Sequence, residues 1–317
     1  MPGLKEFLLG GIAPMLAALA AFALAWAASR RASIAWPVGV IVGYLSGTIA
    51  LEAGNVGIVA ALQKLGSPHA AHEWTWMLAI VAAIPAIIAA FLGERRRWRW
   101  LLIVPLAAGV PLWLMWGSKY LPSAEARATG FLTDAWSVGE AVLIIGVVAG
   151  GMLLVWRLWE ANEPSDQPRT RGFLVAVVLS CCAAVAGMSG SFVYAYVIGI
   201  LAASVGGCFF GALVCRAQAG PEYAAGPIVL LAGSLLMLAT YISEVEPLHA
   251  VGLWIAVAFA SAYLPNRIGL NEHARVALRC GACLIPLALV LGHAAYKFAE
   301  SQRHQQEEAA SNPYMSL

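Results

Sequence analysis

Charged residues are scarce in this sequence. Only 11% of its 317 residues are Asp, Glu, Lys or Arg, whereas a soluble domain carries about 25%. The hydrophobic fraction is 61% and the mean hydropathy is +0.77. This composition excludes a disordered chain, argues against a cytosolic globular protein, and predicts a polytopic membrane protein whose main partner is the lipid bilayer.

The sequence also lacks a strong net charge and any highly specific motif. The formal net charge is only +2, so there is no electrostatic footprint for nucleic acid. No stretch carries a specific catalytic, cofactor or nucleotide-binding motif, and we therefore predict no cofactor. An enzymatic activity is the less favoured class.

Ten apolar runs predict an all-α fold with about ten transmembrane helices. The run from 172 to 215 contains 44 residues without a charge, or about 66 Å of helix, so it has to turn once. The turn is predicted at 187–191. The ten spans lie at about 8–28, 34–51, 74–93, 98–116, 136–158, 172–188, 191–215, 226–242, 248–264 and 276–297.

The predicted spans form one transmembrane domain, residues 1–298. A polar stretch after residue 160 separates two possible halves, 1–160 and 171–298, with five spans each. An odd number of spans per half would invert one half relative to the other, as in many secondary transporters. Residues 299–317 are rich in Gln, Glu and Ser and predict a disordered tail.

The basic residues predict the orientation. Thirteen of the 19 Lys and Arg residues follow spans one, three, five, seven and nine, whereas acidic residues are in excess on the opposite side. The positive-inside rule then places both termini outside the cell and the 160–170 loop in the cytoplasm. Long helical spans indicate a bacterial inner membrane, because outer-membrane proteins are usually barrels.

Glycines spaced four residues apart occur in three predicted spans and suggest close helix contacts, although a chain with 31 glycines can produce such spacing by chance. These glycines are Gly39, Gly43 and Gly47, Gly146 and Gly150, and Gly207 and Gly211. Residues 57–65 are apolar but too short to span, and they predict a short helix along the membrane interface.

Two carboxylates, Glu52 and Glu140, lie at the predicted outer ends of apolar spans. An ionisable residue at membrane depth suggests a functional site, whereas one at the boundary can simply reach water. Both interpretations remain open. His69 and His72 are spaced so that one helix face could present both to a metal ion. They are weak metal candidates, since two histidines in one loop are common, and no metal site is predicted.

The fragment Gly187-Met188-Ser189-Gly190 precedes an apolar helix, and His249-Ala250-Val251-Gly252 opens a helix two spans later. These motifs resemble the G-x-S-G and H-x-x-G motifs of rhomboid intramembrane serine proteases. The resemblance implies a catalytic dyad of Ser189 and His249. Alternatively, the Gly-rich fragment makes the tight turn that the long apolar run requires, with a serine capping the next helix.

Three functional hypotheses follow. A helical bundle with almost no extramembrane mass favours transport of a small solute through or among its helices. The scarcity of charge at membrane depth instead suits a non-catalytic structural or accessory subunit. The third hypothesis is intramembrane proteolysis by Ser189 and His249.

The predicted orientation is testable with reporter fusions after Lys119 and after Ser165. We expect the Lys119 fusion to report the far side of the membrane and the Ser165 fusion to report the cytoplasm, because the basic loops stay inside. Alkaline phosphatase activity and green fluorescence distinguish the two sides. The reverse pattern would contradict the orientation.

Overall fold

The computed structural model describes residues 4–68, 71–92, 96–123, 134–161, 168–218, 220–243, 245–262 and 271–311. Apart from one isolated bridge between Trp116 and Leu121, regular structure in these ranges is helical. Helix α1 combines Leu4–Phe7, a π-helical turn Leu8–Ile12 and Ala13–Ser29. The others are α2 Ala32–Val56, α3 Ile58–Gly66, α4 Thr75–Leu92, α5 Arg96–Met115, α6 Val138–Glu160, α7 Pro168–Met188, α8 Phe192–Val214, α9 Ala225–Ile242, α10 Pro247–Ala260 and α11 Glu272–Ser311.

Seven of the described helices are long and apolar enough to cross a membrane. They are Lys5–Ser29, Ala32–Val56, Val138–Glu160, Pro168–Met188, Phe192–Val214, Pro221–Ile242 and Glu272–Glu307. Large apolar side chains such as Leu24, Val138 and Leu289 are exposed on the outside of the bundle, as expected for a lipid-facing surface. The chain is therefore an all-helical, multi-pass integral membrane protein. Shorter apolar stretches at Thr75–Ala86, Leu101–Met115 and Pro247–Ala260 coincide with predicted spans three, four and nine.

Helices α1, α2 and α8 pack closely against one another at glycines. A Cβ atom added to Gly43 would lie 2.6 Å from Ala18 Cβ and 2.8 Å from Ser204 Oγ. A Cβ atom at Gly207 would collide with the backbone carbonyl oxygen of Met15. Small residues let helix backbones approach in this way. By contrast, no described atom lies within 4 Å of a Cβ atom added at Gly146 or Gly150.

Helix α9 occupies the centre of the bundle. Every residue from Ala225 to Ala239 is buried, and the helix contacts α4, α5, α6, α8 and α10. Its sequence is apolar on every face, which is characteristic of a helix that is enclosed on all sides. The middle of the bundle is therefore filled by side chains from this helix and its neighbours.

The turn and the short helix expected from the sequence are both present. The chain turns between α7 and α8, where Gly190 adopts a positive φ of 84° that glycine tolerates without strain. Ser191 is the N-cap residue of α8, but its side chain makes no capping hydrogen bond. Helix α3 corresponds to the expected interfacial helix, and its Ile58, Val59 and Leu62 side chains are exposed.

Helix α11 is the longest element, with 40 residues. At 1.5 Å per residue it is about 60 Å long, roughly twice the hydrocarbon thickness. It continues through 299–311, for which composition predicts disorder, because Glu, Gln, Arg and Ala favour helix and the preceding span supplies the nucleus. The remaining predicted tail residues, 312–317, lie outside the described ranges.

We expect Gly207→Ala to destabilise the protein by about 1–3 kcal/mol, because the added methyl group would force α1 and α8 apart. Its matched control is Gly206→Ala on the same helix, where an added Cβ meets nothing within 4 Å. That control should leave stability unchanged or slightly higher, since Ala is the better helix former. Unfolding titrations in mixed micelles measure both. Equal stability of the two variants would contradict this packing.

Candidate functional site

A cavity of about 450 Å³ opens at the end of the bundle where α7 turns into α8. We call this the cavity end. The first turn of α10 and the second half of α11 complete its wall. The polar lining residues are Ser189, Glu246, His249, Lys297, Ser301, Gln302 and Gln305.

Four ionisable side chains meet at this end of the bundle, and Glu246, His249 and Lys297 among them line the cavity. Nε2 of His249 lies 2.8 Å from Nδ1 of His293. Oε2 of Glu246 lies 3.6 Å from the His249 nitrogen and 3.8 Å from the His293 nitrogen. The other carboxylate oxygen of Glu246 forms an ion pair with Lys297. We call these four residues the Glu-His-His-Lys cluster.

Glu246 is the N-cap residue of α10, and its backbone oxygen accepts a hydrogen bond from Ala250 N at 3.1 Å. The Lys297 ammonium beside Glu246 lowers the pKa of its carboxyl below the ordinary value, and the two neighbouring imidazoles act in the same direction. Glu246 is therefore a carboxylate at neutral pH.

His249 is the buried member of the cluster, with only 3% of its surface exposed. Its Nδ1 has no hydrogen-bond partner among the described residues. A buried polar atom is usually satisfied by protein or by an ordered ligand or water. His293, by contrast, has a side chain that is 46% exposed.

Ser189 and His249, the two residues of the hypothetical dyad, line the same cavity. They form no hydrogen bond with each other: Ser189 Oγ donates to Val185 O at 3.0 Å, and His249 Nε2 is paired with His293. Backbone N–H groups of the turn are also engaged. Ser189 N donates to Val185 O, Gly190 N to Gly187 O and Ser191 N to Ala186 O. The turn therefore presents no free oxyanion donors at these three positions.

Glu52 lies in an ion-pair cluster outside the cavity. Lys64 Nζ on α3 lies 3.1 and 3.2 Å from the two Glu52 oxygens and 3.0 Å from Glu73 Oε1. The hydrogen bond to Glu73 and the bonds to Glu52 raise the pKa of Lys64. The pairing holds α3 against the end of α2, which is a structural role for Glu52.

Glu140 also has a local structural role. Its N–H donates to Ser137 Oγ at 3.2 Å, and its carboxylate accepts from Ser137 N at 2.8 Å. This reciprocal pair is a capping box that begins α6. The metal candidates cannot be placed in the same way: His69 and the side chain of His72 lie outside the described residues.

A second group of buried charges lies at the opposite end of the bundle. Arg171 Nη2 on α7 is 3.3 Å from Glu222 Oε1, and the two side chains are 0% and 7% exposed. Arg279 on α11 is also buried and donates to Ala262 O at 3.2 Å. The ion pair connects α7 to the segment before α9, and the hydrogen bond connects α11 to the segment after α10.

The sequence analysis did not identify Glu246, His293 and Lys297 as site residues. Two signals were available: Glu246 and His249 share one helix face at i, i+3, as do His293 and Lys297 at i, i+4. What the spacing does not show is that α10 and α11 are neighbours. No known protein family, curated protein or solved structure matches this chain.

We expect Glu222→Gln to destabilise the protein by about 3–5 kcal/mol, because it removes a carboxylate from a buried guanidinium. The matched control is Glu300→Gln, which alters an exposed residue on α11. Unfolding titrations in mixed micelles should show a large loss for the first variant and none for the second. Similar stabilities would mean that the buried ion pair contributes little.

Proposed function

We propose that this protein transports a small polar or charged solute, and that the solute binds in the cavity where α7 turns into α8. The observation that carries this proposal is the lining of the cavity. A carboxylate, an ammonium and a buried imidazole, whose Nδ1 has no hydrogen-bond partner among the described residues, share one wall at the end of an apolar helical bundle. Ionisable groups in such a position usually mark a substrate or ion pathway.

The size and chemistry of the cavity suit a small solute. Its volume of about 450 Å³ lies within the range of roughly 300–1,000 Å³ typical of small-molecule sites. Glu246 provides negative charge, Lys297 provides positive charge, and Ser189 provides a hydroxyl group. A polar group of the solute could satisfy Nδ1 of His249, which has no protein partner among the described residues.

The proposal includes ten spans, with the three shorter apolar stretches crossing the membrane beside the seven long helices. By the positive-inside rule, both termini and the cavity end face outside in a bacterial inner membrane. The solute would then enter from the periplasm, and the buried Arg171–Glu222 pair would lie at the cytoplasmic end. A stable central helix α9 provides a support around which the peripheral helices could move.

Intramembrane proteolysis is the second candidate, because Ser189 and His249 line one cavity. It requires Ser189 to break its hydrogen bond to Val185 O and His249 to break its hydrogen bond to His293. Only then can a proton pass from Ser189 to His249. Transport requires neither rearrangement, and we therefore rank it first. Covalent labelling of Ser189 by a serine-directed phosphonate, lost in His249→Ala, would reverse that order.

Flux into proteoliposomes tests the transport proposal. Purified protein is reconstituted and offered a panel of labelled amino acids, sugars, inorganic anions and divalent metal ions. We expect at least one solute to enter faster than into protein-free liposomes, and Ser189→Trp to abolish that flux by filling the cavity.

Ser180→Trp is the matched control for this plug. Ser180 lies on α7, which Ser189 directly follows, and its Oγ also donates to the carbonyl four residues earlier. Unlike Ser189, it is exposed and does not line this cavity. Its flux should equal that of the unmodified protein. The proposal fails if the unmodified protein moves no solute, or if Ser189→Trp transports normally; the first result would favour the accessory-subunit hypothesis.

A further inference from the structure

Three potential ligand atoms of the Glu-His-His-Lys cluster converge on one point. The distances among Glu246 Oε2, His249 Nε2 and His293 Nδ1 are 2.8, 3.6 and 3.8 Å. They average about 3.4 Å, the edge of a tetrahedron whose corners lie about 2.1 Å from its centre, and zinc–nitrogen and zinc–oxygen bonds have that length. One ion could therefore reach all three atoms once the His249–His293 hydrogen bond is broken and the two nitrogens separate from 2.8 Å to about 3.4 Å.

Close packing of α10 against α11 produces this convergence. A Cβ atom added to Gly252 would collide with Val290 Cγ2, so the two helices approach tightly at this level. Gly252 is one turn after His249, and Val290 is one turn before His293. The glycine contact therefore brings both imidazoles to the same height, and Glu246 reaches them from the N-cap of α10.

We propose that Glu246, His249 and His293 bind one divalent transition-metal ion, such as Zn²⁺. Two imidazole nitrogens and one carboxylate oxygen form a ligand set that favours these ions over Mg²⁺ and Ca²⁺, which prefer oxygen ligands. Three protein ligands leave the fourth tetrahedral position for water or another exchangeable ligand. His249 and Glu246 also line the cavity, so such a ligand has space beside the site.

Lys297 distinguishes this site from a purely structural metal site. Its ammonium pairs with the carboxylate that would also bind the metal, through the other oxygen. The positive charge opposes the bound cation and lowers the affinity, which suits a site that has to release its ion. The bound ion could itself be the transported solute. That step rests on the proposed transport function, whereas the metal-binding site does not.

Equilibrium binding of Zn²⁺ to the purified full-length protein in detergent tests the site. We expect one ion per chain in competition with a chromophoric chelator. Loss of a residue that only hydrogen-bonds to a metal ligand typically weakens metal binding about tenfold to a hundredfold. His293→Ala and Glu246→Gln each remove a direct ligand, so each should weaken Zn²⁺ binding by at least that much. Both residues are at least partly exposed, and gel filtration verifies that the variants fold.

His304→Ala is the matched control, because His304 lies on the same helix and also has a glutamate neighbour, 3.8 Å away, but among the described residues no third ligand converges on it. Its affinity for Zn²⁺ should be unchanged. Lys297→Gln should bind Zn²⁺ more tightly, since it removes a repelling charge. Co²⁺ should give the intense visible absorption of a four-coordinate ion, and this absorption should be lost in His293→Ala.

The metal site is contradicted if the unmodified protein binds no Zn²⁺, or if His293→Ala, Glu246→Gln and His304→Ala bind it equally. If Lys297→Gln binds Zn²⁺ no more tightly than the unmodified protein, the metal ion does not lie beside the Lys297 ammonium. Zn²⁺ binding without Zn²⁺ flux in proteoliposomes would retain the site and reject transport of the ion. Flux of another solute without Zn²⁺ binding would retain transport and reject the site.

Discussion

Close backbone packing is the constraint on which the rest of this structure depends. Helices in a bilayer gain little from the hydrophobic effect when they associate, because lipid tails are as apolar as leucine side chains, so contact area and small residues decide which helices pair. Gly43 and Gly207 set the distances among α1, α2 and α8, and Gly252 sets the distance between α10 and α11. The position of the histidine pair follows from the last of these contacts.

Ion pairs in the described part of the bundle join charged groups from different segments of the chain. Lys64 bridges two carboxylates at the end of α2, and Arg171 meets Glu222 at the opposite end. An uncompensated charge in an apolar surrounding is costly, and pairing reduces that cost. In the Glu-His-His-Lys cluster Lys297 neutralises Glu246, and among the described residues the buried Nδ1 of His249 has no hydrogen-bond partner. What distinguishes this cluster from the other ion pairs is that it contains two imidazoles, one of which lines a cavity.

Much of the fold could be predicted from sequence, because length and hydropathy determine where apolar helices form. The turn near Gly190 followed from the length of one uncharged run, and the short helix at 58–66 followed from an apolar stretch too short to span. The capping box at Ser137 and Glu140 also has the sequence of an S-x-x-E motif, although for this carboxylate only a functional site and a boundary position that reaches water were considered.

The site itself required tertiary information. His249 and His293 are 44 residues apart, and nothing in the spacing of either helix indicates that their ring nitrogens approach within hydrogen-bond distance. Equally, the glycine pair at Gly146 and Gly150 has the same spacing as Gly207 and Gly211, yet only the second pair contacts a neighbouring helix. Periodicity identifies a helix face but does not identify its neighbour.

The length of α11 has a mechanical consequence. One continuous helix carries Pro286, then His293 and Lys297 of the Glu-His-His-Lys cluster, and ends at Ser311. Proline weakens the local hydrogen bonding of a helix and is a common point of bending. His293 lies about 10 Å beyond Pro286 along the axis, so a bend of roughly 10° there displaces it by about 2 Å. A bend at Pro286 would thus move His293 and Lys297 together relative to His249 and Glu246 on α10.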